Sequence, residues 1–302
     1  MTAEQRHTLA EMLRTGPLDF EADLDSQRAI FTEMLTGHPN PDDVRTTDIV
    51  LGGVPAIDVT VDGASASSDD VVFYLHGGAY VMGSAAGSVG LASDIARRSG
   101  ARVVTVDYRL APEHPYPAAL DDAVAAYEAL VSHQDPAHIA LVGESAGGGL
   151  VFATLVALRE RGLPMPRAAV ALSPWADLTV SGSTAVSKAD VDVSVSVPGL
   201  RLRAGQYIGD ADPRTATLSP VFADLHDLPP VLIQSGSNEV LLDDSLRLAA
   251  AAAIADVAVR LEVTPGAPHV FQAFAAILTE GDAALESVAA FLRAALESTV
   301  ES

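Results

Sequence analysis

From residue 71 onward the chain repeats one pattern: a short apolar run, a glycine-rich or polar break, then a stretch with apolar residues three and four apart. The runs are VVFYL (71–75), RVVTVD (102–107), HIALV (138–142), RAAVAL (167–172), PVLIQS (230–235) and VAVRLEV (257–263). They are too short for helices and are set off by breaks and helical stretches, so they read as strands. Between them, residues 117–131 and 146–159 and the alanine-rich stretch from near Leu241 read as helices. Strands alternating with helices predict βαβ units: an α/β fold with a mainly parallel, twisted sheet wrapped on both faces.

Upstream of residue 71 the pattern differs. Leu9, Met12 and Leu13, then Phe20, Leu24, Ile30, Phe31 and Leu35, fall at helical spacing and predict amphipathic helices over 3–14 and 20–36, closed by Pro39 and Pro41. A hairpin follows, residues 48–51 and 56–61 around Gly52-Gly53, with Asp62-Gly63 as the next turn and the ASASSDD tract (64–70) as a loop. Between Ser173 and Val231 the periodicity fades into polar tracts and prolines, as in an insertion that forms a lid or cap. No repeat divides the 302 residues, which are expected to form one domain.

Composition narrows the chemistry. Forty acidic against eighteen basic residues give a net charge of -22, which repels nucleic-acid phosphates and anionic lipid. Nucleic-acid and membrane partners are therefore not expected; the acidity reads as a surface made soluble by carboxylates. There is no cysteine, which excludes disulfides, thiolate catalysis and cysteine-based metal sites. The polar first residues and the lack of any run of eighteen apolar residues predict a cytoplasmic protein with no membrane span. A homodimer is the one macromolecular association left open.

The strongest local signal is Gly143-Glu144-Ser145-Ala146-Gly147, set between the strand HIALV and a helix. This is the G-x-S-x-G nucleophile elbow in its strand-turn-helix setting, with glycines where side chains would collide and Ser145 at a helix N-terminus. His76-Gly77-Gly78-Ala79-Tyr80 follows the strand VVFYL, where such a fold places the other half of an oxyanion hole. The chain order of this triad is Ser, acid, His, and of eight histidines only His269 lies beyond His226, in the turn-rich Pro265-Gly-Ala-Pro-His269. Three carboxylates compete for the acid after PVLIQS: Glu239, Asp243 and Asp244. Asp243 and Asp244 fall where a helix starts, and there a carboxylate has an ordinary role at the exposed N–H groups.

With these motifs assembled, the chain resembles the bacterial relatives of hormone-sensitive lipase, esterases of the α/β-hydrolase fold with HGGG, YRLAPE and GDSAGG signatures. HGGAY (76–80), DYRLAPEHPYPAALDD (107–122), GESAGG (143–148), the SPWxDL segment (173–178) and LSP (218–220) carry the resemblance over nearly the whole chain. It implies a triad of Ser145, His269 and an acid, with an oxyanion hole built from the backbone N–H groups of Gly78, Ala79 and Ala146. The family's D-P-L-x-D motif, laid on residues 239–243, puts Glu239 where the triad aspartate stands. Glu239 is also the carboxylate in the loop just past the strand end, four residues beyond Ser235. The resemblance further implies a cap made from about 1–45 and 177–218. Tyr80 and Trp175 read either as pocket walls or as ordinary buried aromatics. Arg109, Glu113 and Asp122 read as anchors of a loop beneath the site.

The expected activity is hydrolysis of short-chain carboxylic esters through an acyl-enzyme, with a small-molecule ester as partner and neither metal nor cofactor. Lactone hydrolysis and amide or formamide hydrolysis use the same triad and remain alternatives. A non-catalytic small-ligand receptor is the alternative of another class, disfavoured because Ser145 and His269 are both present.

Overall fold

Each apolar run forms a strand; in the central ones alternate residues face opposite ways, so a continuous apolar stretch serves two cores at once, while VAVRLEV, with Arg260 and Glu262 between its apolar residues, forms a partly exposed edge strand. The computed structural model describes residues 3–65 and 68–297; positions 66 and 67 of the predicted 64–70 loop lie outside the described residues. The strands are β1 (Val44–Leu51), β2 (Val54–Val61), β3 (Val71–Leu75), β4 (Arg102–Val106), β5 (Ile139–Glu144), β6 (Ala168–Leu172), β7 (Val231–Gly236) and β8 (Val259–Thr264). The helices are α1 (Ala3–Thr15), α2 (Leu24–Thr36), α3 (Val89–Ser99), α4 (Ala118–Val131), α5 (Ala146–Glu160), α6 (Thr184–Ser187), α7 (Val197–Ile208), α8 (Leu242–Ile254) and α9 (Thr279–Leu296).

The strands form one eight-stranded sheet in the order β1-β2-β4-β3-β5-β6-β7-β8. The β1–β2 hairpin is antiparallel and β2 runs antiparallel to β4; from β4 to β8 every pairing is parallel. In β3, Val71, Phe73 and Leu75 enter the core shared with α4, α5 and α8, while Val72 and Tyr74 enter the core shared with α3 and α9. This is the wrapped α/β sheet that the pattern predicts, and the parallel strands aim their C-terminal ends at one side, where ligands bind in such folds.

Two boundaries shift for local reasons. The second helix starts at Leu24, not 20, because the Asp23 carboxylate accepts the Ser26 N–H at 3.0 Å and caps it there. Phe20 is left in the preceding turn, packed against the core. The hairpin is longer than predicted, pairing Val44 with Val61 through to Leu51 with Val54. The weakly patterned insertion between β6 and β7 holds α6 and α7, the latter capped by the Ser196 hydroxyl on the Gly199 N–H at 3.0 Å.

The N-terminal segment and this insertion meet over the C-terminal strand ends. The Arg203 guanidinium of α7 donates to the Ala22 carbonyl at 2.6 Å, and the Ser196 hydroxyl donates to Glu21 at 2.8 Å. On α2, Arg28 donates to the Val81 and Ala111 carbonyls and pairs with Glu113 at 2.7 Å. Glu113 thus ties α2 to the YRLAPE segment, and Arg109 pairs with Asp122 at 2.8 Å to hold that segment onto α4. Among the described residues, no helix is long and apolar enough to cross a membrane.

Candidate active site

The turn from β5 into α5 leaves no room for a side chain at Gly143 or Gly147, two residues either side of Ser145. A β-carbon at Gly147 would lie 1.9 Å from the Leu75 carbonyl oxygen, and one at Gly143 would lie 2.4 Å from the Gly147 carbonyl oxygen. Ser145 itself sits at φ 56°, ψ -120°, a backbone state costing about 1–3 kcal/mol that persists only where the surroundings fix it. They do: its N–H donates to Leu172 and its carbonyl accepts from Trp175, each at 2.8 Å. The hydroxyl is thereby held off the sheet at the N-terminus of α5.

The structure brings Ser145, His269 and Glu239 into one line. His269 Nε2 lies 2.9 Å from Ser145 Oγ, and Nδ1 lies 2.8 Å from Glu239 Oε2. A carboxylate only accepts, so Nδ1 carries the imidazole proton and Nε2 is left to accept from the serine. Glu239 is wholly buried, in the turn between β7 and α8. Its Oε1 accepts from Ser173 Oγ at 2.8 Å, Ser235 Oγ at 3.0 Å and the Gly236 N–H.

Neither competing carboxylate touches the imidazole. Asp244 is buried and accepts the Ala176 and Asp177 N–H groups, each at 2.8 Å; burial pushes its carboxyl up to about 8. Asp243 stands in the first turn of α8, as the sequence predicts, but its carboxylate does not serve that helix. It accepts the Ser183 N–H at 3.0 Å, because the insertion folds back over the start of α8.

Burial alone would lower the proton affinity of His269. The hydrogen bond and charge of Glu239, with the charges of Asp192 and Glu144, outweigh it and raise the imidazole above its ordinary 6.5.

Gly78 and Ala79 turn through left-handed backbone, at φ 110° and 56°, directly after Gly77, where a β-carbon would lie 3.2 Å from that of Ser145; Ala146 opens α5. No hydrogen bond among the described residues takes up the N–H of Gly78, Ala79 or Ala146. The loop is fixed from below by Glu144, whose Oε1 accepts the Gly77 N–H at 2.7 Å and whose Oε2 accepts the Tyr74 hydroxyl. Burial pushes the Glu144 carboxyl up to about 7. The Tyr108 hydroxyl donates to the His76 carbonyl at 2.6 Å, and its ring stacks on His76, whose imidazole burial pushes down to about 4.

Tyr80 and Trp175 are fully buried. Tyr80 stacks on Tyr207 with ring centroids 3.9 Å apart, and Trp175 lies 6.0 Å from Tyr80. A cavity of about 270 Å³ opens between α1 (His7, Leu9, Arg14), Val191 and Val193 of the insertion, and Asn238 and Pro268, the immediate neighbours of Glu239 and His269. Among the described residues, no group of three His, Asp or Glu side chains is arranged to hold a metal ion.

One residue at this site is not singled out by sequence reasoning. Ser173 donates to Glu239 Oε1 and accepts the Val270 N–H at 3.0 Å, so one hydroxyl ties the acid to the chain just after His269. Its position directly after β6 is the signal that could have found it, since strand C-terminal ends gather at this site.

The sequence profile of the family Abhydrolase_3, described as having the alpha/beta hydrolase fold, matches residues 72–273. An acetyl-hydrolase of Streptomyces hygroscopicus is 43% identical over 225 residues, which are 74% of this chain and 75% of that protein. An esterase of Acinetobacter venetianus is 35% identical over 266 residues, 87% of each chain. The crystal structure of an esterase from the bacterial hormone-sensitive lipase family superposes with a TM-score of 0.93 at 43% identity, covering 98% of this chain and 99% of that one.

Proposed function

The chain belongs to the α/β-hydrolase family of bacterial hormone-sensitive-lipase type and is a carboxylic ester hydrolase, and from that premise we propose that it works through an acyl-enzyme on Ser145. The observation that carries this reading is the unbroken line Ser145 Oγ, His269 Nε2, His269 Nδ1, Glu239 Oε2, with contacts of 2.9 and 2.8 Å. Ser145 Oγ attacks the ester carbonyl carbon as His269 Nε2 takes its proton. The N–H groups of Gly78, Ala79 and Ala146 receive the oxyanion, in a loop whose geometry Glu144 fixes before substrate arrives. The imidazolium then returns the proton to the departing alcohol. Water, deprotonated by the same nitrogen, attacks the acyl-serine, and the imidazolium returns that proton to Ser145 Oγ as the ester bond to serine breaks and the carboxylic acid leaves.

Because the base must be neutral, kcat/KM falls as pH drops through the His269 pKa, and that pKa is raised above 6.5. The acidic limb of the pH profile is therefore expected to have its midpoint above the value of a free histidine. A profile of p-nitrophenyl acetate hydrolysis that is flat down to about pH 5 contradicts the assignment of the base.

The N-terminal residues up to about 45 and the insertion at about 177–218 act as a cap on the single catalytic domain, roofing the site and limiting what can be bound. A roofed site limits the length of acyl chain that can be buried. Across p-nitrophenyl esters of rising chain length, kcat/KM is expected to peak at acyl groups of about two to six carbons. Long-chain triacylglycerols as the best substrates sink the roofed-pocket reading while leaving the triad untouched.

A further inference from the structure

The turn that carries Glu239 is held from two sides. Upstream of it, Ser237 N–H donates to the Thr264 carbonyl at 2.9 Å and Asn238 N–H to the Ala267 carbonyl at 3.1 Å, which ties the turn to β8 and the loop leading to His269. Downstream, both main-chain groups of Val240, the residue after Glu239, are taken by side chains from the insertion. The Val240 N–H donates to Asp192 Oδ2 and the Val240 carbonyl accepts from Thr184 Oγ, each at 2.8 Å.

Both holding groups are themselves fixed. Thr184 Oγ also accepts the Asp243 N–H at 2.9 Å, so one hydroxyl links the Val240 carbonyl to the first turn of α8. Asp192 Oδ1 accepts the N–H groups of Ser194 and Val195 at 2.9 and 3.0 Å, which leaves Oδ2 for Val240. Val240 and Thr184 are buried, so water is a poor substitute for either bond.

We propose that Thr184 and Asp192 are positioning residues for the reaction, through which the insertion sets the placement of the triad acid Glu239. This rests on the reading of Glu239 as that acid. The peptide linking Glu239 to Val240 has its N–H on Asp192, so rotation of that peptide is coupled to the insertion. Rotation would move the Glu239 α-carbon while Ser173, Ser235 and Gly236 still hold its Oε1, and the strain falls on the 2.8 Å contact to His269. Misplacement of about 1 Å in such a constellation can cost about a hundredfold in rate. An insertion that is displaced or reshaped therefore changes turnover as well as substrate fit.

The test is a set of variants assayed on p-nitrophenyl acetate, with melting temperature and circular dichroism as folding controls. Thr184→Val keeps the shape and removes both hydroxyl bonds; it is expected to lower kcat about tenfold with KM within about twofold. Thr184→Ser, which keeps the hydroxyl, should recover most of that loss. In a Glu239→Gln background, Thr184→Val should add little further loss, because the two changes act through one contact. An equal loss in both backgrounds, or a raised KM with kcat unchanged, overturns the proposal while leaving the triad standing. Should Glu239→Gln itself turn over like the parent, the acid assignment falls and takes the positioning role with it. If Thr184→Val does not fold, Asp192→Asn carries the same cycle, read at a pH well above the acidic limb because losing the Asp192 charge also lowers the His269 pKa: its single acceptor oxygen cannot serve both Val240 and the 194–195 turn, and the same pattern of losses is expected there.

Discussion

Ser145→Ala is expected to fold like the parent and to lose kcat by at least about 10³-fold. Folding should survive because the hydroxyl makes its one contact, at 2.9 Å, with His269, and the backbone bonds to Leu172 and Trp175 do not involve it. Alanine presents the same β-carbon at the strained φ, so the elbow is not asked to adopt a new shape. The rate loss follows from removing the atom that forms the covalent intermediate; about 10³ corresponds to about 4 kcal/mol of barrier. What remains is water attack on an ester held in the oxyanion hole, and comparable knockouts retain some catalysis from that source. Circular dichroism and melting temperature check the fold, and steady-state turnover of p-nitrophenyl acetate checks the rate. Activity within tenfold of the parent would remove Ser145 as the nucleophile.

The parts of the fold and site that the sequence reveals are those governed by local rules. VVFYL, HIALV and PVLIQS are strands because short apolar runs between breakers have few other homes, and each does end at the candidate site. Gly143 and Gly147 are legible because a collision with a neighbouring carbonyl leaves glycine as the residue that fits. His269 is legible by its place in the chain. The insertion between β6 and β7 is opaque for the opposite reason. Asp177, Asp192 and Ser196 spend their side chains on nearby backbone N–H groups, a use that imposes no period along the chain. The contacts that bear on the site join residues 48 and 56 positions apart in sequence, as Asp192 and Thr184 do with Val240, and no window of local pattern spans that distance. The Glu144 departure from the family's aspartate shows a related limit. Only the fold reveals that the glutamate reaches both Tyr74 from β3 and Gly77 beyond it.

Glu239→Gln is expected to lower kcat at least about a hundredfold, whereas Asp243→Asn should leave kcat within a few-fold of the parent. The amide introduced by Glu239→Gln can keep its oxygen where Oε1 now accepts from Ser173, Ser235 and Gly236, so three donors favour that orientation. Its NH2 group then faces His269 Nδ1, where Glu239 Oε2 now lies at 2.8 Å. Two donors cannot share that contact, so the imidazole proton shifts to Nε2 or the ring turns. Either way the nitrogen facing Ser145 no longer accepts its proton, the fault that costs about 10⁴ in a comparable protease triad. Asp243 serves elsewhere. Its carboxylate holds the Ser183 N–H at 3.0 Å, and an asparagine carbonyl can still accept that bond. What Asp243→Asn removes is mainly a negative charge in the first turn of α8, worth about 1 kcal/mol or less. In a chain of this size that is a fall in melting temperature of no more than about 4 °C. Measuring kcat and melting temperature for both variants decides between the carboxylates: if Asp243→Asn abolishes turnover and Glu239→Gln does not, the acid of the triad is Asp243, and the 2.8 Å contact between Glu239 and His269 is structural rather than catalytic.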